Sequence, residues 1–108
     1  VNKEIKARWV DALRSGVYTQ TTGALRNEKG YCCLGVLCDL HAIATDNTWD
    51  HGQQSGYLLC ASALPVEVAN WAGVESTDPQ INDIALSEYN DRLNSSFNEI
   101  ADVIEKGL

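Results

Sequence analysis

A chain of 108 residues with 44 % hydrophobic and 21 % charged side chains can bury a core of its own and is too apolar to be a disordered segment. Its apolar runs are a few residues long, far short of the roughly 20 that span a bilayer, and no basic then apolar leader opens it. The expectation is a single globular domain over residues 1–108, cytoplasmic, with no membrane partner. The net charge of −7 is unevenly placed: residues 1–30 carry six cations against three acids, while residues 31–108 carry two against twelve. The acidic part repels nucleic acid, which excludes that class of partner, and the two parts attract each other.

In chain order, Asn2 caps a first helix in which Ile5, Trp9, Val10 and Leu13 recur at helical spacing, and Gly16 supplies its left-handed stop. Residues 17–32 turn short and polar; Asn27 to Gly30 reads as a turn, with the region of Leu25 paired to that of Tyr31 in a small antiparallel hairpin. A second helix follows from Cys33 to Ile43. It is apolar nearly all round, its one charged member is Asp39, and it belongs inside the molecule. Gly35 in its interior needs a packing reason, most simply a close helix–helix or helix–strand approach.

Residues 44–57 read as a long polar loop in which Trp49 is either a lid over the core or an exposed contact. Tyr57 to Leu59 fits a short strand, and Pro65 to Gly73 a short third helix containing Trp71. A fourth helix is expected from Asp83 to Arg92, although the same residues could extend. Ser96-Phe97-Asn98-Glu99 is a capping box for a last helix that ends near Lys106-Gly107. The fold class is therefore α+β: a mostly helical single domain of four or five helices around a central apolar one, with a small antiparallel hairpin. The expected core includes Trp9, Leu13, Leu34, Leu37, Cys38, Leu40, Val68, Trp71, Ile100 and Ile104.

Chemistry is concentrated in Tyr31–Ala44, which holds Cys32, Cys33, Cys38 and His41. Cys38 and His41 lie three apart on one helical face, as two zinc ligands would, and a folded-back Cys60 could join them. No CxxC pair is present, however, and cysteine serves well as a small buried hydrophobe. The thiols are read as structural, with no metal and no cofactor. Thiol catalysis at Cys32 or Cys33 would need a base, cation or helix N-terminus nearby; both lie near the expected start of the second helix and His41 or His51 could approach in space, but no family-type signature surrounds the cysteines. Asp46, Asn47 and Asp50 superficially resemble a calcium loop with the wrong spacing, and phosphate-binding glycine motifs are missing. Asn90 and Asp91 read as turn and cap residues or, alternatively, as polar ligand contacts.

Five blocks, RWVDALRSG at Arg8–Gly16, YCCLGVLCDL at Tyr31–Leu40, LPVEVANWAGV at Leu64–Val74, LSEYND at Leu86–Asp91 and SFNEIADVIE at Ser96–Glu105, resemble a group of small uncharacterised proteins common in bacteriophages, prophages and their hosts. That group has no established activity, so the resemblance implies a source and a compartment rather than a mechanism. Its members often place a glycine between the ND and SF pairs; here the turn is RLNS, and Asn94 is the residue best able to turn left-handed. The favoured reading is a non-enzymatic accessory protein of phage type that binds a macromolecule, possible partners including a host protein, through Trp49, Asp50, His51 and Tyr57. The alternatives are a small-ligand binder using Asn90 and Asp91, and a zinc or thiol site.

Overall fold

A computed structural model of the protein describes residues 1–50, 56–58 and 60–108; His51 and Leu59 lie outside them. Among the described residues there are five helices and two hairpins, in the order α1 (Lys3–Arg14), β1 (Arg26–Asn27), β2 (Gly30–Tyr31), α2 (Cys33–Thr45), α3 (Val66–Ala72), β3 (Gln80–Ile81), β4 (Ile84–Ala85), α4 (Leu86–Asp91) and α5 (Phe97–Gly107). The fold is α+β, as expected, with one more hairpin than expected. No described helix is long and apolar enough to cross a membrane.

Helix α1 begins where Asn2 Oδ1 accepts the amides of Glu4 and Ile5, which satisfies two of the four donors that a helix start leaves open. Its apolar stripe, Ile5, Trp9, Val10 and Leu13, lies along the stripe of α5, Phe97, Ile100, Ala101 and Ile104, and all eight are buried. Each large side chain in such a seam contributes about 1.5–3 kcal/mol. The capping box of α5 is complete: Ser96 Oγ accepts from Glu99 N, and Glu99 Oε1 accepts from Ser96 N at 2.9 Å. The basic first segment meets the acidic remainder at one edge of this pair, where Arg14 bridges Asp102 and Glu105.

Helix α2 is central, as its composition requires. Cys33 through Cys38 are all buried, and the Trp9 indole donates to Cys33 O at 3.0 Å. The reason for Gly35 is a close approach to the strand side. A Cβ there would sit 1.8 Å from Leu25 O, so only glycine lets the segment leading into β1 lie against the helix. The helix runs two residues beyond the expected end and stops at Asp46 in the left-handed conformation, φ 59°.

Four expectations need correction. The strand expected from Tyr57 is not formed at the described residues: Tyr57 and Cys60 exchange both backbone bonds, with Leu58 at φ 48°, and Leu59 lies outside the described residues. The fourth helix starts at Leu86 rather than Asp83, because Asn82 and Asp83 both take positive φ, 56° and 63°, as the two-residue turn of the β3–β4 hairpin. That is the turn type whose twist suits a hairpin, and Asn and Asp tolerate it best after glycine. The first turn of α4 has no cap of its own at Ala85. Asp78 supplies one from the preceding loop, taking Ser87 N at 3.1 Å and Ser87 Oγ at 2.5 Å. Pro65 stands at the cap position of α3, one residue before the place expected for it. Asn94 does turn left-handed, φ 51°. Of the expected core, Leu40 and Trp71 are only partly buried and the rest is fully inside.

Candidate functional site

The sequence places Arg26 and Tyr31 on either side of the Asn27–Gly30 turn. Asn27 Oδ1 accepts from Lys29 N and Gly30 N, closing that turn. The register then pairs Arg26 with Tyr31, so their side chains share one face of the hairpin. Gly30 is required because the chain before β2 passes against it: a Cβ would lie 2.1 Å from Thr19 O. Tyr31 N donates to that same oxygen at 2.8 Å, and Thr21 N donates to Tyr31 O. Tyr18 is thereby brought edge-on to Tyr31, ring centroids 4.9 Å apart.

Asp39 ties this edge to the loop after α2. Its Oδ2 accepts the Tyr18 hydroxyl at 2.6 Å and its Oδ1 accepts the Trp49 indole N–H at 3.0 Å. The Trp49 ring meets Tyr31 at 5.8 Å and Tyr57 at 5.1 Å, and the Arg26 guanidinium lies over it, 4.8 Å from its centroid and 5.9 Å from that of Tyr31. Tyr57 continues inward to His41, whose Nδ1 shares a 2.7 Å hydrogen bond with the Tyr57 hydroxyl. The His41 ring stands edge-on to Trp71, centroids 5.1 Å apart. The result is a connected row of aromatic rings around one carboxylate. Tyr18, Arg26, Tyr31, Asp39 and Trp71 are half-buried and keep an accessible edge; Trp49 and Tyr57, 9 % and 0 % exposed, form the inner wall.

Burial, then the Asp39 carboxylate, push the Tyr18 phenol well above the ordinary tyrosine range. Burial raises Tyr57 as well and lowers His41, which is therefore held as neutral imidazole at neutral pH. Burial also raises the thiols: Cys32 up to about 11, Cys33 well above its usual value, and Cys38 likewise. Nucleophilic chemistry needs the thiolate, so these three are poor nucleophiles. Their contacts are structural: Cys32 Sγ accepts from Gly35 N, and Cys33 Sγ lies 3.5 Å from Leu86 O. Among the described residues no group of three or more His, Cys, Asp or Glu is placed to hold a metal ion, and the Cys38, His41 and Cys60 set is not one.

Of the residues singled out in the sequence, Trp49 and Tyr57 come together but turn inward, so their rings are a lid and wall rather than a contact surface. Asp50 is half-buried, and its N–H donates to Gly56 O at 2.9 Å. His51 lies outside the described residues. Asn90 is elsewhere, at the start of α2, and is 1 % exposed. Its Oδ1 accepts Cys33 N at 3.2 Å and Gln20 Nε2 at 2.9 Å, while its Nδ2 donates to Thr21 O and to Asp91 Oδ1. Every bond an amide side chain can make is thus used within the chain. Asn90 is a clamp that caps α2 from α4, and Asp91 orients it.

The residues that build the cluster were passed over in the sequence: Tyr18, Arg26, Tyr31 and Asp39. One signal was available, since Asp39 is the lone charge on an apolar helix. An open groove of about 340 Å³ between the ends of α1 and α5, lined by Lys3, Lys6, Val10 and Glu105 among others, shares no residue with the cluster.

The family model for a domain of unknown function, DUF8296, matches residues 1–108, and the chain belongs to that family. No curated protein and no solved structure matches it.

Proposed function

We propose that this member of the DUF8296 family is a non-enzymatic accessory protein of phage type, working in the reducing interior of a cell and acting by binding a macromolecule, of which a host protein is the favoured case. The observation that carries the reading is the composition of the half-buried row around Asp39. Tyrosine, tryptophan and arginine are the side chains that dominate binding energy at protein interfaces, and here Tyr18, Tyr31, Trp71 and Arg26 keep an edge open while Asp39 and Trp49 hold the first two and Arg26, and His41 packs against Trp71. Val17, next to Tyr18, is 79 % exposed and adds an apolar contact at the rim. Three thiols held protonated in the core favour a structural over a catalytic role for the cysteines. Free thiols also suit a reducing compartment.

The test is a native mass spectrum of the protein isolated gently, under reducing conditions, from the cells that make it. A stoichiometric complex with a second polypeptide, lost when Tyr18 and Tyr31 are both changed to alanine, supports the reading. A mass increment of one zinc ion or one small molecule, in place of a polypeptide, overturns it in favour of ligand chemistry.

A further inference from the structure

The Arg26 guanidinium is held against aromatic rings and, among the described residues, is not neutralised. It lies 4.8 Å from the centroid of Trp49 and 5.9 Å from that of Tyr31, yet among the described residues it takes part in no hydrogen bond and no ion pair. The carboxylate of its own cluster is already engaged: Asp39 accepts from Tyr18 and Trp49, one bond on each oxygen. Arginine carries five donors in a rigid planar fork that matches a carboxylate with two parallel bonds. A half-buried guanidinium packed against aromatic rings, its donors uncommitted among the described residues, has less freedom left to lose on binding than a solvated one.

We propose that Arg26 is the anchor of the binding surface and that it receives a carboxylate of a protein partner, an Asp or Glu flanked by apolar side chains that settle on Tyr18, Tyr31 and Val17. This deepens the macromolecule-binding reading and rests on it. The choice of an acidic segment follows from local charge. Residues 1–30 are the net positive part of the chain, and Lys29, exposed in the turn beside Arg26, offers a second cation to the same partner. The remaining surface is acidic and would repel that segment from other docking positions, so the proposal predicts one site of contact.

The experiment uses the whole chain labelled with nitrogen-15, titrated with a capped Leu-Glu-Leu-Glu peptide, with the matching Leu-Gln-Leu-Gln peptide, and with inorganic phosphate. The Arg26 Nε–H, the Trp49 indole N–H and the amides of β1 and β2 are followed by NMR. Expected is a saturable shift of these signals with the glutamate peptide, little with the glutamine peptide, and an affinity at least about tenfold weaker in Arg26→Lys, which keeps the charge but loses the fork and the stack. An Arg26→Lys affinity equal to the parent overturns the proposal, as does silence at Arg26. A stronger response to phosphate than to the glutamate peptide overturns the carboxylate assignment. Shifts confined to another surface would sink the Arg26 anchor while leaving the macromolecule-binding reading standing, so the two failures are distinguishable.

Discussion

The α1–α5 pair and the aromatic row around Asp39 are held together in opposite ways. The pair consists of two amphipathic helices, each capped from within its own sequence, joined by an apolar seam whose members repeat at helical spacing. The row draws one or two residues from each of several separate segments, the loop after α1, both strands of a hairpin, α2, the chain beyond it and α3, and its bonds are directional. Burial is non-directional and tolerates modest change, whereas a polar and aromatic network fixes positions and fails when one member is lost. The first arrangement suits a scaffold. The second suits a surface that must present side chains at set positions.

The largest expected effect lies where β1 and β2 lean on α2. Gly35→Ala puts a methyl group 1.8 Å from Leu25 O, a clash with backbone rather than with a movable side chain, and should cost more than about 3 kcal/mol in urea unfolding. Next comes the helical seam: Ile104→Ala, at a fully buried position, should cost about 2–5 kcal/mol, with the NMR signal of the Trp49 indole N–H in the folded protein unchanged. Asn90→Ala removes the clamp at the start of α2 and leaves Cys33 N and Thr21 O without their partner. The expected loss is about 2–3 kcal/mol, and the amides of Cys33 and Gly35 should exchange faster with solvent, which would show that the site is structural.

The mildest change sharpens the comparison most. Asp39→Asn keeps the shape and removes the charge, at about 1–2 kcal/mol. Because the carboxylate and burial both disfavour the phenolate, Tyr18 ionises later in the folded chain than in the unfolded one. The stability this contributes is fully present below the unfolded value of about 10 and is lost as pH rises from there through the raised folded value. Without the Asp39 charge the Tyr18 transition should move down in an ultraviolet titration, staying above the ordinary value because burial remains. An unchanged transition would mean that burial alone sets it.

The sequence was most readable where structure is local. Asn2, the Ser96–Glu99 box and the 3.6-residue recurrence of Trp9, Leu13, Ile100 and Ile104 announce α1 and α5 directly, and Gly35 announced a close approach before its partner was known. The β3–β4 hairpin was hidden because Ile81, Ile84 and Ala85 fit a helical stripe as well as a strand. What decides between them is the positive φ at Asn82 and Asp83, a turn preference weaker than that of Asn-Gly. The row around Asp39 is the hardest part to read. Tyr18, Arg26, Asp39 and Trp49 have no spacing in common; they meet only because Gly30 and Gly35 allow two backbone crossings. Trp49 was noticed for standing in a polar loop, but composition could not show that its indole would turn inward to Asp39.

The central claim is that the row around Asp39 faces a macromolecular partner, and site-directed photocrosslinking in the cells that make the protein tests it most directly. Benzoylphenylalanine would replace Val17 at the rim of the row and, in a parallel chain, Asp11 on the outer face of α1; both positions are exposed. The account predicts a discrete adduct with a second polypeptide from position 17 and none from position 11. Adducts from position 11 alone, or the same adducts from both, would contradict it.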